Sequence, residues 1–150
     1  MSPGERSSHS SACVMDRAEA LDRLASAPVG TFASIKPDGW PHLVAVTFAV
    51  IEGSLVHMID HKPKTTRRLQ RLRNVEQTPR ACLLVDNYDD DWSALWWVRV
   101  DGGASVETEG EKWEKGRVSL VDKYPQYRES PPTGHAIFLS VDHVTHWESI

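Results

Sequence analysis

Read for its apolar and polar positions, the chain changes period several times. Ala18, Leu21, Leu24 and Ala25 recur at helical spacing, Asp16 followed by Glu19 has the form of a capping box, and Pro28 closes the segment, so a short amphipathic helix is predicted. From Val29 the pattern turns β-rich: VGTFASIK, HLVAVTFAVI and SLVHMI are separated by turns at Asp38-Gly39 and Glu52-Gly53. Connections this short have no room for a crossover helix, which predicts three antiparallel strands in a meander. Leu69, Leu72 and Val75 then keep a helical step, with Thr65 or Thr66 as the expected cap and Pro79 as the stop. RACLLVD reads as a strand. An acidic loop, NYDDDWS, leads into a long strand, ALWWVRVDGGASVETE, with a bend expected at Gly102 and Gly103. A helix over 111–124, a loop PQYRESPPTG and a last strand HAIFLSVDHVTHW complete the chain.

Six mostly antiparallel strands with intervening helices predict a closed or split barrel rather than a doubly wound parallel sheet, because tight turns join the early strands and closure removes exposed edges. Residues 1–14, rich in Ser and poor in apolar side chains, are expected to form a loose tail, and 15–150 a single domain.

Charge changes this picture at one place. The net formal charge is -4, yet DHKPKTTRRLQRLR over residues 60–73 gathers Lys62, Lys64, Arg67, Arg68, Arg71 and Arg73. Cations beside a helix start oppose the positive end of the macrodipole, at roughly 0.3–1 kcal/mol each. A bound anion reverses that sign: free backbone N–H groups at Thr65, Thr66 and Arg67 together with Lys62 and Lys64 would hold a phosphate or carboxylate. The alternative is a solvated basic face paired with the acidic loop over 86–91. A pI near 5.9 and the lack of aromatics between the basic residues argue against nucleic acid.

Other chemistry is sparse. Cys13 lies in the polar tail and Cys82 in a strand, where a small buried hydrophobe is the expected role. NYDDDW lacks the glycine and downstream Glu of a calcium loop, and His143 and His146 fall on opposite strand faces, so no metal is expected. No Ser-His-Asp or Cys-His arrangement, GxSxG or glycine-rich phosphate loop occurs. The longest apolar run, LVAVTFAVI, is too short to cross a bilayer and the N-terminus lacks a secretory apolar segment, making the cytoplasm the default location. If the chain is an enzyme, a cofactor carries its chemistry, and a phosphorylated redox cofactor would satisfy the anion site.

The succession HKPKTTRRLQRLRNVEQTPRACLLVDNYDDDWSALWWVRVDG resembles the coenzyme F420 (deazaflavin)-dependent branch of the pyridoxamine 5'-phosphate oxidase-like split β-barrel oxidoreductases, as found in actinobacteria. The KPK stretch, the PxACLLVD strand and the DDWSxLWWVRVDG run carry it together, and it extends from about Met15 to Trp147. The resemblance implies a homodimer of six-stranded split barrels with cofactor grooves along the interface. It places Val44, Ala45, Val46 and Thr47 beside the cofactor ring and Lys62, Lys64, Thr65 and Arg68 at its phosphate or anionic tail. Trp92, Trp96 and Trp97 would pack on the ring or the interface. The implied activity is an F420H2-dependent reductase passing a hydride to a small unsaturated or heteroaromatic acceptor, with FMN as the alternative cofactor and non-catalytic F420 storage as the alternative role. No proton donor is assigned; Tyr88, His42 and solvent are the candidates.

Overall fold

The computed structural model describes residues 15–59 and 69–149. Helix α1 (Arg17–Ser26) begins where expected: the Asp16 carboxylate accepts from the Glu19 backbone N–H at 2.8 Å, and Ala20 and Leu24 face the core. Strands β1 (Gly30–Ile35) and β2 (Pro41–Val46) pair antiparallel, as do β3 (Ala49–Ile51) and β4 (Ser54–Met58). The second hairpin turns through Glu52 and Gly53 with φ of 47° and 77°, the pair of left-handed residues that matches the twist of a two-residue connection.

Helix α2 (Gln70–Gln77) starts later than expected. Its N-cap is Leu69, which supplies no side-chain bond; the Leu72 and Arg73 N–H groups donate to the Leu69 carbonyl, so the free first-turn N–H groups are those of Gln70 and Arg71, while Thr65, Thr66 and Arg67 lie outside the described residues. Strand β5 (Arg80–Asn87) and the 12-residue β6 (Trp96–Glu107) follow, with a short 3-10 turn, Trp92–Ala94, between them. Then come α3 (Glu111–Lys123), α4 (Pro125–Glu129), β7 (Ala136–Ser140) and β8 (His143–Glu148). Helix α4 falls in a segment read as loop; Pro125 starts it, since a first-turn position needs no N–H and suits the fixed φ of proline.

Eight strands form where six were expected, because two of the six are each broken in two. The strand predicted over 42–51 breaks at Thr47 and Phe48, whose peptide groups bond to side chains instead of to a ladder. The last strand breaks at Val141 and Asp142, where the Asp142 carboxylate accepts from the Ser140 hydroxyl at 2.7 Å and from the Gly103 N–H at 3.0 Å. The order is β2-β1-β5-β6-β7-β4-β3 with β8 also on β6, antiparallel throughout, and the pairings do not close into a ring.

Strand β6 sits at the middle of this path and joins its two halves. Its first half, from Trp96 to Asp101, pairs with β8, and its second half pairs with β7. The expected bend at Gly102 and Gly103 lies between them; a Cβ on Gly102 would stand 1.8 Å from the Ser140 carbonyl oxygen, so the two chains approach this closely only with glycine there. One sheet face carries Phe32, Val46, Leu83, Val85, Val98 and Val100 into a core shared with α1 and α2. A second cluster lies under α3, around Val56, Leu120 and Phe138. The opposite face of β2, β1, β5, β6 and β8 has no helix against it among the described residues. It exposes Leu43 at 64%, Trp147 at 44% and Leu84 at 36%.

Candidate cofactor site at the sheet edge

Strand β2 ends the sheet path, so one of its edges has no strand partner among the described residues and offers backbone N–H and C=O groups. At its C-terminal end the chain bends through Thr47 and Phe48, and side chains converge on that bend. His57, on β4 and only 7% exposed, has its Nδ1 2.8 Å from the Thr47 carbonyl oxygen, while its Nε2 lies 3.2 Å from Arg71 Nε on α2. Burial, with the Arg71 charge second, pushes the imidazole pKa from 6.5 down to about 4; the bond to the Thr47 carbonyl acts in the other direction and is outweighed. The ring is therefore neutral at pH 7. Because Arg71 can only donate, Nε2 accepts and Nδ1 carries the proton that is donated to Thr47.

From the other side the Thr47 hydroxyl shares a 2.8 Å hydrogen bond with the Tyr127 hydroxyl. The Tyr124 hydroxyl lies 3.1 Å from the Phe48 N–H and 2.9 Å from the carbonyl oxygens of both Phe48 and Pro28. Lys123 Nζ donates to the Phe48 carbonyl at 2.8 Å and sits 4.0 Å above the Phe48 ring, and burial brings its amine down to about 8.

Arg71 is half-buried, which lowers its pKa below the usual arginine value, yet no described carboxylate pairs with it. Its hydrogen-bond partner among the described residues is a neutral ring nitrogen. Next to it along α2, Asn74 is fully buried and ties α2 to β1, donating to the Ser34 hydroxyl at 3.0 Å and accepting from Gln70 at 2.6 Å; Arg73 in turn donates to Gln70 at 2.6 Å. His42 stands opposite Ser34 in the β1–β2 register, and its Nδ1 is buried with no hydrogen-bond partner among the described residues. The seam between α2 and the sheet edge is thus polar, and among the described residues it holds a cation without a carboxylate partner and a ring nitrogen without a hydrogen bond. A site of this kind accepts an anion at Arg71 and flat polar edges along β2.

The residues picked out from the sequence fall in several places. Lys62, Lys64, Thr65 and Arg68 lie outside the described residues, between the end of β4 and α2. Val44 and Val46 point into the core, Val46 at 3% exposure, and Ala45 points to the opposite, open face across from Thr31. Only Thr47 and the strand's backbone edge adjoin the polar seam. Trp97 lies on the open face beside Trp147, with Arg99 5.8 Å above its ring. Trp96 is on the other side against Arg23 of α1, and Trp92 is exposed, so the three tryptophans do not form one wall. His57, Lys123, Tyr124 and Tyr127 were not picked out for this role. The spacing of Tyr124 and Tyr127 puts them at one helix end, but no local signal ties them to a bend 76 or more positions earlier.

A family model described as pyridoxamine 5'-phosphate oxidase matches residues 17–148, almost the whole described fold. The chain belongs to the pyridoxamine 5'-phosphate oxidase family. Solved structures of similar fold include a conserved hypothetical protein from Mycobacterium tuberculosis, 27% identical with a TM-score of 0.73, covering 90% of this chain and 86% of that one. A heme-binding protein from Mycobacterium smegmatis is 22% identical with a TM-score of 0.70, over 91% of this chain and 56% of that one. A FAD-binding protein from Mesorhizobium loti is 17% identical with a TM-score of 0.68, over 88% and 94% of the respective chains. No curated protein sequence gives a significant match. Family membership accounts for the mainly antiparallel sheet with flanking helices, while the ligands of these neighbours differ from one to the next.

Proposed function

We propose that this member of the family is an F420H2-dependent oxidoreductase, working as a homodimer whose cofactor lies along the β2 edge with its anionic end toward α2. The observation that carries the reading is Arg71, a half-buried cation without a carboxylate partner among the described residues, at the end of a segment that also holds Lys62, Lys64, Thr65 and Arg68. A phosphodiester with an oligoglutamate tail asks for such a succession of cations rather than for one pocket. Reduced deazaflavin, when bound, supplies a hydride to an electron-poor acceptor.

The chain's own share is positional. His57 fixes the Thr47 carbonyl and the Arg71 side chain at once, Tyr124 and Lys123 hold the Phe48 peptide, and the bend keeps the β2 edge open to a planar ligand. The acceptor is a small conjugated or heteroaromatic compound. A second copy covering the open sheet face through Leu43, Leu84 and Trp147 completes the groove, with Trp97 on that face.

Fluorescence titration tests the assignment. Lys62→Ala with Lys64→Ala is expected to weaken F420 binding at least roughly tenfold, the loss of one charge-assisted contact or more. Arg71→Gln is expected to weaken it comparably; unchanged affinity in both variants sinks the reading. FMN is the second reading, favoured by the FAD-binding neighbour. Its single phosphate predicts sensitivity to Lys64 or Thr65 changes and indifference to Arg71 and Arg73. Stopped-flow reoxidation of the reduced cofactor against a panel of unsaturated acceptors separates turnover from storage, since a storage protein shows no acceleration.

A further inference from the structure

Lys123 ends α3 beside the bend at Thr47 and Phe48, and its surroundings are unusual for a lysine. The side chain is only partly exposed, and no carboxylate pairs with it among the described residues. Its Nζ stands 4.0 Å from the centre of the Phe48 ring, itself 1% exposed, and 5.2 Å from that of the Tyr124 ring. The polar partner is neutral: the Phe48 carbonyl oxygen, 2.8 Å away, which also lies 2.9 Å from the Tyr124 hydroxyl.

This setting weakens the charged form. Two rings and a carbonyl replace much of the water around an ammonium without returning a full negative charge, and cation–π attraction recovers only part of the loss. Burial accordingly brings the amine from 10.5 to about 8. At pH 7.5 about a quarter of such amines are neutral, against about one in a thousand for an ordinary lysine. The neutral form keeps one N–H on the Phe48 carbonyl and has its lone pair free to attack. Other described lysines are placed differently. Lys36 lies 3.9 Å from Asp38, Lys115 pairs with Glu52 and Glu111 at 3.7 and 3.5 Å, and Lys112, over the Phe138 ring, is exposed.

We propose that Lys123 is a modification site, an amine that takes a small acyl group from an acyl phosphate. The amine nitrogen bonds to the acyl carbon, the bond from that carbon to the phosphate oxygen breaks, phosphate leaves, and the nitrogen gives up one proton to solvent. A partly buried amine admits only a compact donor, which selects a short acyl chain. The product amide is uncharged, so the cation over the Phe48 ring is lost, and with it one tie on the bend. Any effect of that loss on cofactor binding rests on the function proposed above; the acylation itself does not.

Acetyl phosphate is the probe, added to the full chain at pH 7.5 without cofactor, with acetylation at each lysine followed by peptide mass spectrometry. Lys123 is expected to react at least roughly tenfold faster than the more exposed Lys115, part of the gain in neutral amine being offset, as it is for thiols, by the lower nucleophilicity of a weaker base. The Lys123 rate should level off above about pH 8, and Lys123→Arg should remove the fast site while the other lysines react as before. In the urea-unfolded chain the preference should vanish, since it depends on burial. Equal or slower reaction at Lys123 in the native chain overturns the proposal, as does a rate still rising tenfold per pH unit beyond pH 9. A preference that survives in urea overturns it too, because local sequence would then be the cause.

Discussion

His57 is neutral at physiological pH because charging it inside the fold means desolvating a cation beside another cation, and this gives acid sensitivity a definite sign. In the unfolded chain the group titrates near 6.5, in the folded chain near 4. Between those values the unfolded state binds more protons, so stability is fully present above about 6.5 and falls as pH drops toward 4, by about 3 kcal/mol across the window. Urea unfolding from pH 7 to 4 should show that loss, and His57→Gln should flatten it; an equal slope in the variant would assign the acid response to other groups. Cys82 makes the opposite case for reactivity. Burial first, and then its bond to Asp101, raises its thiol pKa from 9.0 to about 11, which cuts the thiolate fraction near neutrality roughly a hundredfold. In a Cys13→Ser background, iodoacetamide labelling at pH 7.5 should be far slower than for an ordinary exposed thiol. Rapid labelling would contradict the inert apolar role read from its RACLLVD context.

At the scale of elements, bends decide which strands can pair. Gly102 lets β6 serve β8 with one half and β7 with the other, because nothing larger fits against the Ser140 carbonyl. Gly102→Ala is expected to destabilise the fold by about 2 kcal/mol or more, the scale of an overpacked site, and thermal unfolding measures it. A small change would mean that β7 and β8 shift apart at little cost. The bend at Thr47 and Phe48 depends instead on side chains from distant elements. Tyr124→Phe removes the hydroxyl that meets both polar groups of the Phe48 peptide, an expected loss of about 1–2 kcal/mol. The β-rich run over 42–51 is legible in the sequence; its interruption is not, because its cause lies in His57, Lys123 and Tyr124. The late start of α2 was hidden for a related reason. Threonine caps are favoured locally, but the helix begins where Leu72 and Val75 can pack on the core, leaving Leu69 as a cap with no side-chain bond.

For the molecule as a whole, the face of β2, β1, β5, β6 and β8, which no helix covers among the described residues, is a broad apolar surface. Leu43, Leu84 and Trp147 stand on it at 64%, 36% and 44% exposure, apolar area that a second copy would remove from water. Leu43→Asp with Leu84→Asp is expected to shift the sedimentation coefficient from dimer to monomer. A native chain that already sediments as a monomer would refute the shared groove. Among the described residues no helix is long and apolar enough to cross a membrane.

The sequence by itself determined the β-rich class, the first helix with its Asp16 cap, both short hairpin turns and the glycine bend in β6, because each depends on neighbours a few positions apart. It also showed where cations accumulate, since composition along the chain needs no coordinates. Tertiary structure alone decided that β2 and β3 part at Thr47, that β7 and β8 divide one partner between them, and that Arg71 is half-buried against a neutral His57. Those outcomes arise from contacts between residues far apart in the chain, where burial and hydrogen bonding in three dimensions override what each segment prefers on its own.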